Sequence, residues 1–242
     1  MSLKNNGGRV KTGIKGFDEL IKGGFPNTGT YLVTGTSGTG KTLFGIEFVY
    51  KGITMFDEPG VFITMDEPPD KLRAHVKMSF GWDLEKLENE GKLAIVDAIS
   101  SRVSAPSNEK YILRRGEIDS LLYKTANIIG EIGAKRVVLD SIVSLAYQYD
   151  SIFDLRRDIQ RLCYGISQLN CTFLITTEVP SGSDRLSRFD IEEFVVDGII
   201  LLKLEKESDV NLRRLMIVKM RGTDHDMKEH TFNITREGLV VD

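Results

Sequence analysis

Short β-rich runs alternate with segments of helical period along most of the chain, which is the pattern of a parallel sheet covered on both faces. Thr30–Thr34 reads as a first strand, followed by a glycine-rich turn and a helix with Leu43, Ile46, Tyr50 and Ile53 on one face. Val61–Met65 reads as the next strand, and Pro68-Pro69 breaks the chain before a helix from about Asp70. Leu93–Asp97 and Val137–Asp140 are further strands. Between them Ile118, Leu121, Leu122, Thr125, Ile128, Ile129 and Ile132 recur at helical spacing. A second long helix carries Ile152, Leu155, Ile159, Leu162, Ile166 and Leu169 into the strand Thr172–Thr176.

Beyond Pro180 the pattern changes. Ile199–Leu204, Leu212–Met220 and Glu229–Ile234 read as strands with short charged connections and no long helix between them, so an antiparallel extension of the sheet is expected. Ser100–Asn108 and the polar stretch Pro180–Asp190 read as loops. No linker and no repeat divides the chain. The expectation is one α/β domain over residues 1–242, with a mostly parallel sheet flanked by helices and antiparallel C-terminal strands.

Composition narrows the function classes. The 242 residues carry 32 Lys and Arg against 35 Asp and Glu, a formal charge of −3, and are 41% hydrophobic. Extended disorder and coiled coil are excluded by that balance. A mildly acidic total argues against wholesale binding of a phosphate backbone, although a local basic groove stays open. Apolar runs such as Ile199–Leu202 are too short to cross a bilayer, and Met1 to Gly8 has no apolar core of a signal peptide. An intracellular, cytoplasmic protein without membrane contact is expected. Cys163 and Cys171 lack disulfide-framework and metal-ligand spacing and read as reduced thiols, with Cys163 on an apolar helix stripe.

The chemistry concentrates in Gly35-Thr36-Ser37-Gly38-Thr39-Gly40-Lys41-Thr42, which matches G-x-x-x-x-G-K-[ST] at every fixed position. A chance match arises in on the order of one per cent of such chains, and here an apolar strand precedes it and an amphipathic helix follows. Glycines let successive N–H groups turn inward at a phosphate, and the helix N-terminus adds partial positive charge. Lys41 then neutralises β- and γ-phosphate oxygens, and the Thr42 hydroxyl ligates Mg²⁺. Nucleotide binding is therefore expected at Gly35 through Thr42.

A second metal acid is needed, and Asp140 ends a buried strand at the sheet edge where the phosphate loop lies, placed to hold Mg²⁺ through water. Taken alone, an apolar run ending in Asp fits a turn or a helix N-cap as well. Hydrolysis also needs a carboxylate that orients and deprotonates water. Asp66-Glu67 follow Val61–Met65 at the same edge, although on spacing alone solvated turn acids fit equally well. Neighbouring residues point in different directions, so one of the pair is expected to address the γ-phosphate, and the spacing does not say which.

Leu215, Ile217, Lys219 and Arg221 alternate along one strand, so they are expected to share a face that begins apolar and ends in two cations about 7 Å apart. Cations on a rigid strand end suit a phosphate on another subunit, in the manner of an arginine finger. On the residues alone a solvated strand tip fits better. His75 and His230 have no ligand company and read as structural, and His225 stands near the cationic tip without assigned chemistry.

These residues together resemble the KaiC-like branch of the RecA-type ATPases over nearly the whole chain. Thr12-Gly13-Ile14, Gly16-Phe17-Asp18-Glu19-Leu20-Ile21 and Gly23-Gly24-Phe25-Pro26 are similar to that family's opening segment. Gly35–Thr42, Phe62–Glu67 and Val138–Ser141 resemble its phosphate loop, acid-bearing strand and metal-acid strand. Arg188-Phe189, Glu192–Gly198 and Lys219–Thr223 are similar to later motifs.

The resemblance implies a RecA-type core assembling as a ring, often hexameric, with ATP between subunits. It implies Lys41, Thr42 and Asp140 acting on their own subunit's nucleotide, with Asp66 and Glu67 as catalytic acids. Lys219 and Arg221 would then contact the neighbour's γ-phosphate, and Glu178 would stand in a γ-phosphate sensor position. Asp66 stands where the family generally has Glu, which shortens that carboxylate by one methylene and leaves slow hydrolysis or a base role for Glu67 open. Members of that family with two such domains in tandem autophosphorylate in the second, and one such domain is read here, so autokinase activity is not carried over. The alternative reading is a recombinase-like protein that grips single-stranded DNA under ATP control, using Arg185 and Arg188 of the loop 180–190. Scarce aromatic residues there favour a subunit-contact or pore-lining loop instead.

Overall fold

Five central strands are near-continuous runs of apolar residues, and burying them on both faces requires helices above and below the sheet. In the computed structural model, which describes residues 8–113, 118–183, 185–207 and 210–242, that requirement is met. The chain runs through β1 (Arg9–Val10), α1 (Phe17–Leu20), β2 (Phe25–Pro26), β3 (Thr30–Gly35) and α2 (Lys41–Phe56). It continues through β4 (Gly60–Thr64), α3 (Pro69–Phe80), α4 (Leu84–Asn89), β5 (Leu93–Asp97), β6 (Tyr111–Ile112) and α5 (Ile118–Ile132). β7 (Arg136–Asp140), α6 (Ile142–Ala146), α7 (Ile152–Gln168), β8 (Thr172–Glu178) and α8 (Glu192–Val195) follow. The last four elements are strands: β9 (Gly198–Glu207), β10 (Val210–Met220), β11 (Glu229–Thr235) and β12 (Gly238–Val241).

The fold is mixed α/β. Ten strands form one sheet in the order β12-β11-β10-β9-β3-β8-β7-β4-β5-β6, and β1 and β2 form a separate ribbon. From β9 to β6 every pair is parallel, whereas β10, β11 and β12 add antiparallel strands. β9 therefore differs from the antiparallel extension expected for it. The chain between β8 and β9 crosses back through α8, so β9 enters beside β3 pointing the same way, and the direction first reverses at β10, which runs antiparallel to β9.

Two apolar layers flank the sheet. On one face α2 buries Phe44, Phe48 and Val49 against Phe17, Phe25, Tyr31 and Phe62. On the other, Leu121 of α5 and Ile159 and Leu162 of α7 pack with Val61, Leu139 and Phe173. Parallel strands put all their carboxyl ends at one edge, so the loop after β3 and the tips of β4, β7 and β8 meet there.

Two buried charges pin the layers together. Arg136 at the start of β7 is fully buried between the Phe48 and Phe56 rings. It donates to both the Glu58 carboxylate (2.6 and 2.9 Å) and the carbonyls of Phe48 (2.9 Å) and Lys11 (2.8 Å), which docks the N-terminal segment on α2. Glu47 in α2 accepts from the Leu239 N–H at 2.8 Å and pairs with Lys51, which fastens β12 to the same helix.

Candidate functional site

The turn between β3 and α2 has an unusual backbone. Gly38 and Gly40 lie in the left-handed region, with φ of 78° and 107°. A Cβ on Gly35 would meet the Leu202 carbonyl oxygen at 2.2 Å and Thr39 Oγ1 at 2.9 Å, so only glycine fits between this loop and β9. Thr39 Oγ1 and Lys41 Nζ both donate to the Thr36 carbonyl, at 2.9 and 2.7 Å, which holds the loop Gly35–Thr42 curled around the lysine. No side chain caps α2, so its first N–H groups face the loop.

Asp140 stands next to this loop at the end of β7. It is 5% exposed and accepts from Thr42 Oγ1 at 2.9 Å and from Thr176 Oγ1 of β8. Burial pushes its carboxyl up from the usual carboxylate range, against the pull of the two threonine hydroxyls, while the Asp66 charge adds to the rise and Lys41 opposes it. Burial also lowers Lys41, and the carboxylates of Glu178, Asp140 and Asp66 counter that effect. The lysine therefore feels the charge of acids at the ends of three different strands.

The two acids after β4 diverge. Asp66 is exposed to solvent, and its two oxygens accept from Ser141 Oγ (2.7 Å) and from Ser144 Oγ at the start of α6. Glu67 turns to the other side, where its Oε1 meets His75 Nδ1 of α3 at 2.6 Å. Its main-chain N–H reaches Thr64 Oγ1 at 3.3 Å, which folds the tip back on the strand. His75, expected to be an ordinary surface histidine, is thus a partner of a candidate acid. Sequence reasoning also missed Thr176, Ser141 and Ser144, and the only signal was the spacing of two serines one helical turn apart just after Asp140.

Lys219 and Arg221 lie elsewhere. Met220 pairs with Gly198, and Gly198 pairs with Tyr31 near the amino end of β3, so both cations sit at the sheet edge opposite their own phosphate loop. The expected shared face is overturned by a bulge between Ile217 and Lys219. The extra residue turns Met220 onto the Leu215 and Ile217 face, beneath α2, and leaves Val218 packed against the opposite layer. Lys219 Nζ donates to the carbonyls of Glu193 and Val196 at the end of α8 (2.9 and 2.7 Å). Burial and the neighbouring Arg221 lower its pKa. Arg221 is the more exposed of the two, 3.4 Å from Asp197.

Among the remaining candidates, Glu178 ends β8 beside Gly35, exposed at the edge where the phosphate loop lies. His225 Nδ1 contacts the Asp226 carbonyl at 3.0 Å, and His230 lies between Asp226 and the Asp242 carbonyl. Arg185 is 3.4 Å from Asp190, and Arg188 is exposed. Asp184 of that loop and the first seven residues lie outside the described residues. Among the described residues no group of three or more His, Cys, Asp or Glu side chains is placed to hold a metal ion, and no helix is long and apolar enough to cross a membrane.

The family model of KaiC ATPases matches residues 10–242. The circadian clock oscillator protein KaiC of Nostoc is 40% identical over 235 residues, 96% of this chain and 44% of that protein. The chain thus spans less than half the length of this KaiC relative. A protein of Methanocaldococcus jannaschii named UPF0273 protein MJ1359 is 42% identical and is covered over 96% of both chains. The crystal structure of the KaiC-like protein PH0186 from Pyrococcus horikoshii superposes with a TM-score of 0.83, at 40% identity, over 97% of this chain and 99% of that one.

Proposed function

Because this chain belongs to the KaiC ATPase family, we propose that it binds Mg-ATP in the loop Gly35–Thr42 and hydrolyses it, with a second copy completing the reaction centre. One observation supports this most strongly. The lysine, hydroxyl and acid side chains that suit a triphosphate converge at the carboxyl edge of the sheet, while Lys219 and Arg221 stand at the opposite edge. Cations so placed are out of reach of their own subunit's nucleotide, and Arg221, the more exposed of the two, is on the side that meets a neighbour's in a ring of copies joined head to tail.

In this reading, the N–H groups of Gly38 through Thr42 and the α2 terminus bind the β-phosphate, and Lys41 leaves the Thr36 carbonyl to neutralise β- and γ-oxygens. Thr42 Oγ1 and the Asp140 carboxylate, 2.9 Å apart, are the hard oxygen donors that suit Mg²⁺. Bound there, the ion would draw electron density from the phosphate oxygens. A carboxylate on the Asp66–Glu67 tip orients the attacking water, and Arg221 of the neighbouring copy stabilises charge on the transferred phosphoryl group. Calorimetry with Mg-ATP tests the first half. The wild-type chain is expected to bind and Lys41→Ala to lose binding, whereas a wild-type chain indifferent to Mg-ATP would refute the proposal.

A further inference from the structure

Resting on the shared site proposed above, we infer that Glu192 is a positioning residue for the finger. Through the segment 192–197 it ties the phosphate-loop edge of a chain to the cations that the same chain presents to its neighbour. The anchor is a carboxylate in a place where one is costly. Glu192 opens α8, a single helical turn, yet is only 1% exposed. Its Oε1 accepts from Thr177 Oγ1 at 3.1 Å, and its Oε2 accepts from the N–H groups of Phe189 and Ile191 at 3.2 and 3.3 Å. Thr177 is itself fully buried and pairs with Thr34, one residue before the Gly35–Glu178 pair at the mouth of the phosphate loop. Thr176, its neighbour in β8, donates its hydroxyl to Asp140. Glu192 is thus fastened to the strand that also supports the metal acid.

The other end of the segment is fastened to the finger. Lys219 Nζ donates to the Glu193 carbonyl at 2.9 Å and the Val196 carbonyl at 2.7 Å. Asp197 is bonded twice to Thr30, its N–H to the carbonyl (2.7 Å) and its Oδ2 to the N–H (2.9 Å). Its own carbonyl accepts from the Arg221 N–H at 2.8 Å, and its Oδ1 lies 3.4 Å from the Arg221 guanidinium. Thr30 precedes Thr34 by four residues on β3, so these contacts carry the tie about 13 Å across the sheet. Val196 is fully buried in the apolar layer of Ile159 and Leu162. A short segment pinned at both ends and packed between them transmits a displacement rather than absorbing it.

Arg221 needs that support. Its side chain is 57% exposed, and an exposed ion pair with Asp197 orients a guanidinium only weakly. Loosening Glu192 moves the carbonyls that hold Lys219, and the strand end that carries Arg221 moves with them. A misplacement of about 1 Å costs about 10²-fold in rate. The loop Gly35–Thr42 is held by its own bonds, so ATP binding survives the change. In a ring, each chain's β8 therefore sets the finger used on the next nucleotide.

The test is ATP affinity, steady-state phosphate release and a thermal melt for the full chain, Glu192→Gln and Thr177→Val. Equimolar mixtures of each variant with Lys41→Ala and with Arg221→Ala follow. Glu192→Gln is expected to lower kcat by about 10- to 10²-fold with the Kd for ATP within a few-fold of wild type. Mixed with Lys41→Ala it should recover about a quarter of wild-type turnover, since one chain brings a sound loop and the other a sound finger. Mixed with Arg221→Ala it should recover nothing, since neither chain has a sound finger. A residue needed only for folding would not sort with the finger in this way. Thr177→Val keeps the carboxylate and its two N–H donors and should show the same pattern with a smaller loss. It decides the assignment if Glu192→Gln does not melt as a folded chain. Turnover within twofold of wild type in the folded variants would overturn the assignment and leave the shared site standing. So would recovery with Arg221→Ala in place of Lys41→Ala, or with neither. No recovery in the mixture of Lys41→Ala with Arg221→Ala would overturn the shared site and this assignment with it.

Discussion

Equimolar mixing of Lys41→Ala and Arg221→Ala chains separates a shared site from a self-contained one. Tyr31, level with Gly198 and Met220, lies four residues before Gly35 on β3, which is about 13 Å at the usual strand rise. Arg221 follows Met220 and points beyond that edge, so the distance to its own phosphate loop is larger still. An Arg–phosphate hydrogen bond requires about 3 Å, so the guanidinium cannot serve its own nucleotide without refolding the strand. Each variant alone should be nearly inactive: Lys41→Ala through lost binding, and Arg221→Ala through lost transition-state stabilisation of about 10³-fold or more. In a randomly mixed ring, a working centre needs the Arg221→Ala chain on the loop side and the Lys41→Ala chain on the finger side. Each has a chance of one half, so about a quarter of the interfaces are repaired. A steady-state phosphate-release assay on the re-equilibrated mixture should therefore recover about a quarter of wild-type turnover. Activity equal to that of the two variants assayed apart would refute the shared site.

Three further outcomes follow from particular side chains. Asp140→Asn should abolish the gain in ATP affinity on adding Mg²⁺ and slow turnover by about 10²-fold, with binding in chelator retained, as calorimetry with and without the metal would read. Arg136→Met should cost about 3–5 kcal/mol, because it strands the Glu58 carboxylate and two carbonyls, and so lower Tm by roughly 6–20 °C in a thermal melt. Burial raises Cys163 to about 12 and Cys171 to about 11. A raised pKa leaves less thiolate, about one in a thousand or fewer at pH 8, so a disulfide reagent should label neither in native protein and both in denaturant.

What was legible in the chain was whatever is local. Gly35–Thr42 is a contiguous motif whose backbone needs are written in its own glycines, and α5 and α7 begin and end close to their apolar periods. Ribbon β1–β2 and edge strand β6 have two residues in each strand and carry no period at all. Pairings across the chain were equally silent. The parallel entry of β9 beside β3 depends on a distant partner, and the bulge before Lys219 inverts an alternation that looked regular. Arg136 begins its strand as a charged residue and gives no sign that it is fully buried between two aromatic rings. Asp66 and Glu67 were found as a pair, yet their division depends on Ser144 and His75, brought close only by the packing of α6 and α3.

Turnover per chain measured against protein concentration, with mass in solution followed in parallel, tests the central claim most directly. A centre built from two copies predicts that ATP hydrolysis per chain rises in step with assembly and vanishes on dilution to the monomer. Undiminished turnover by a verified monomer would contradict it.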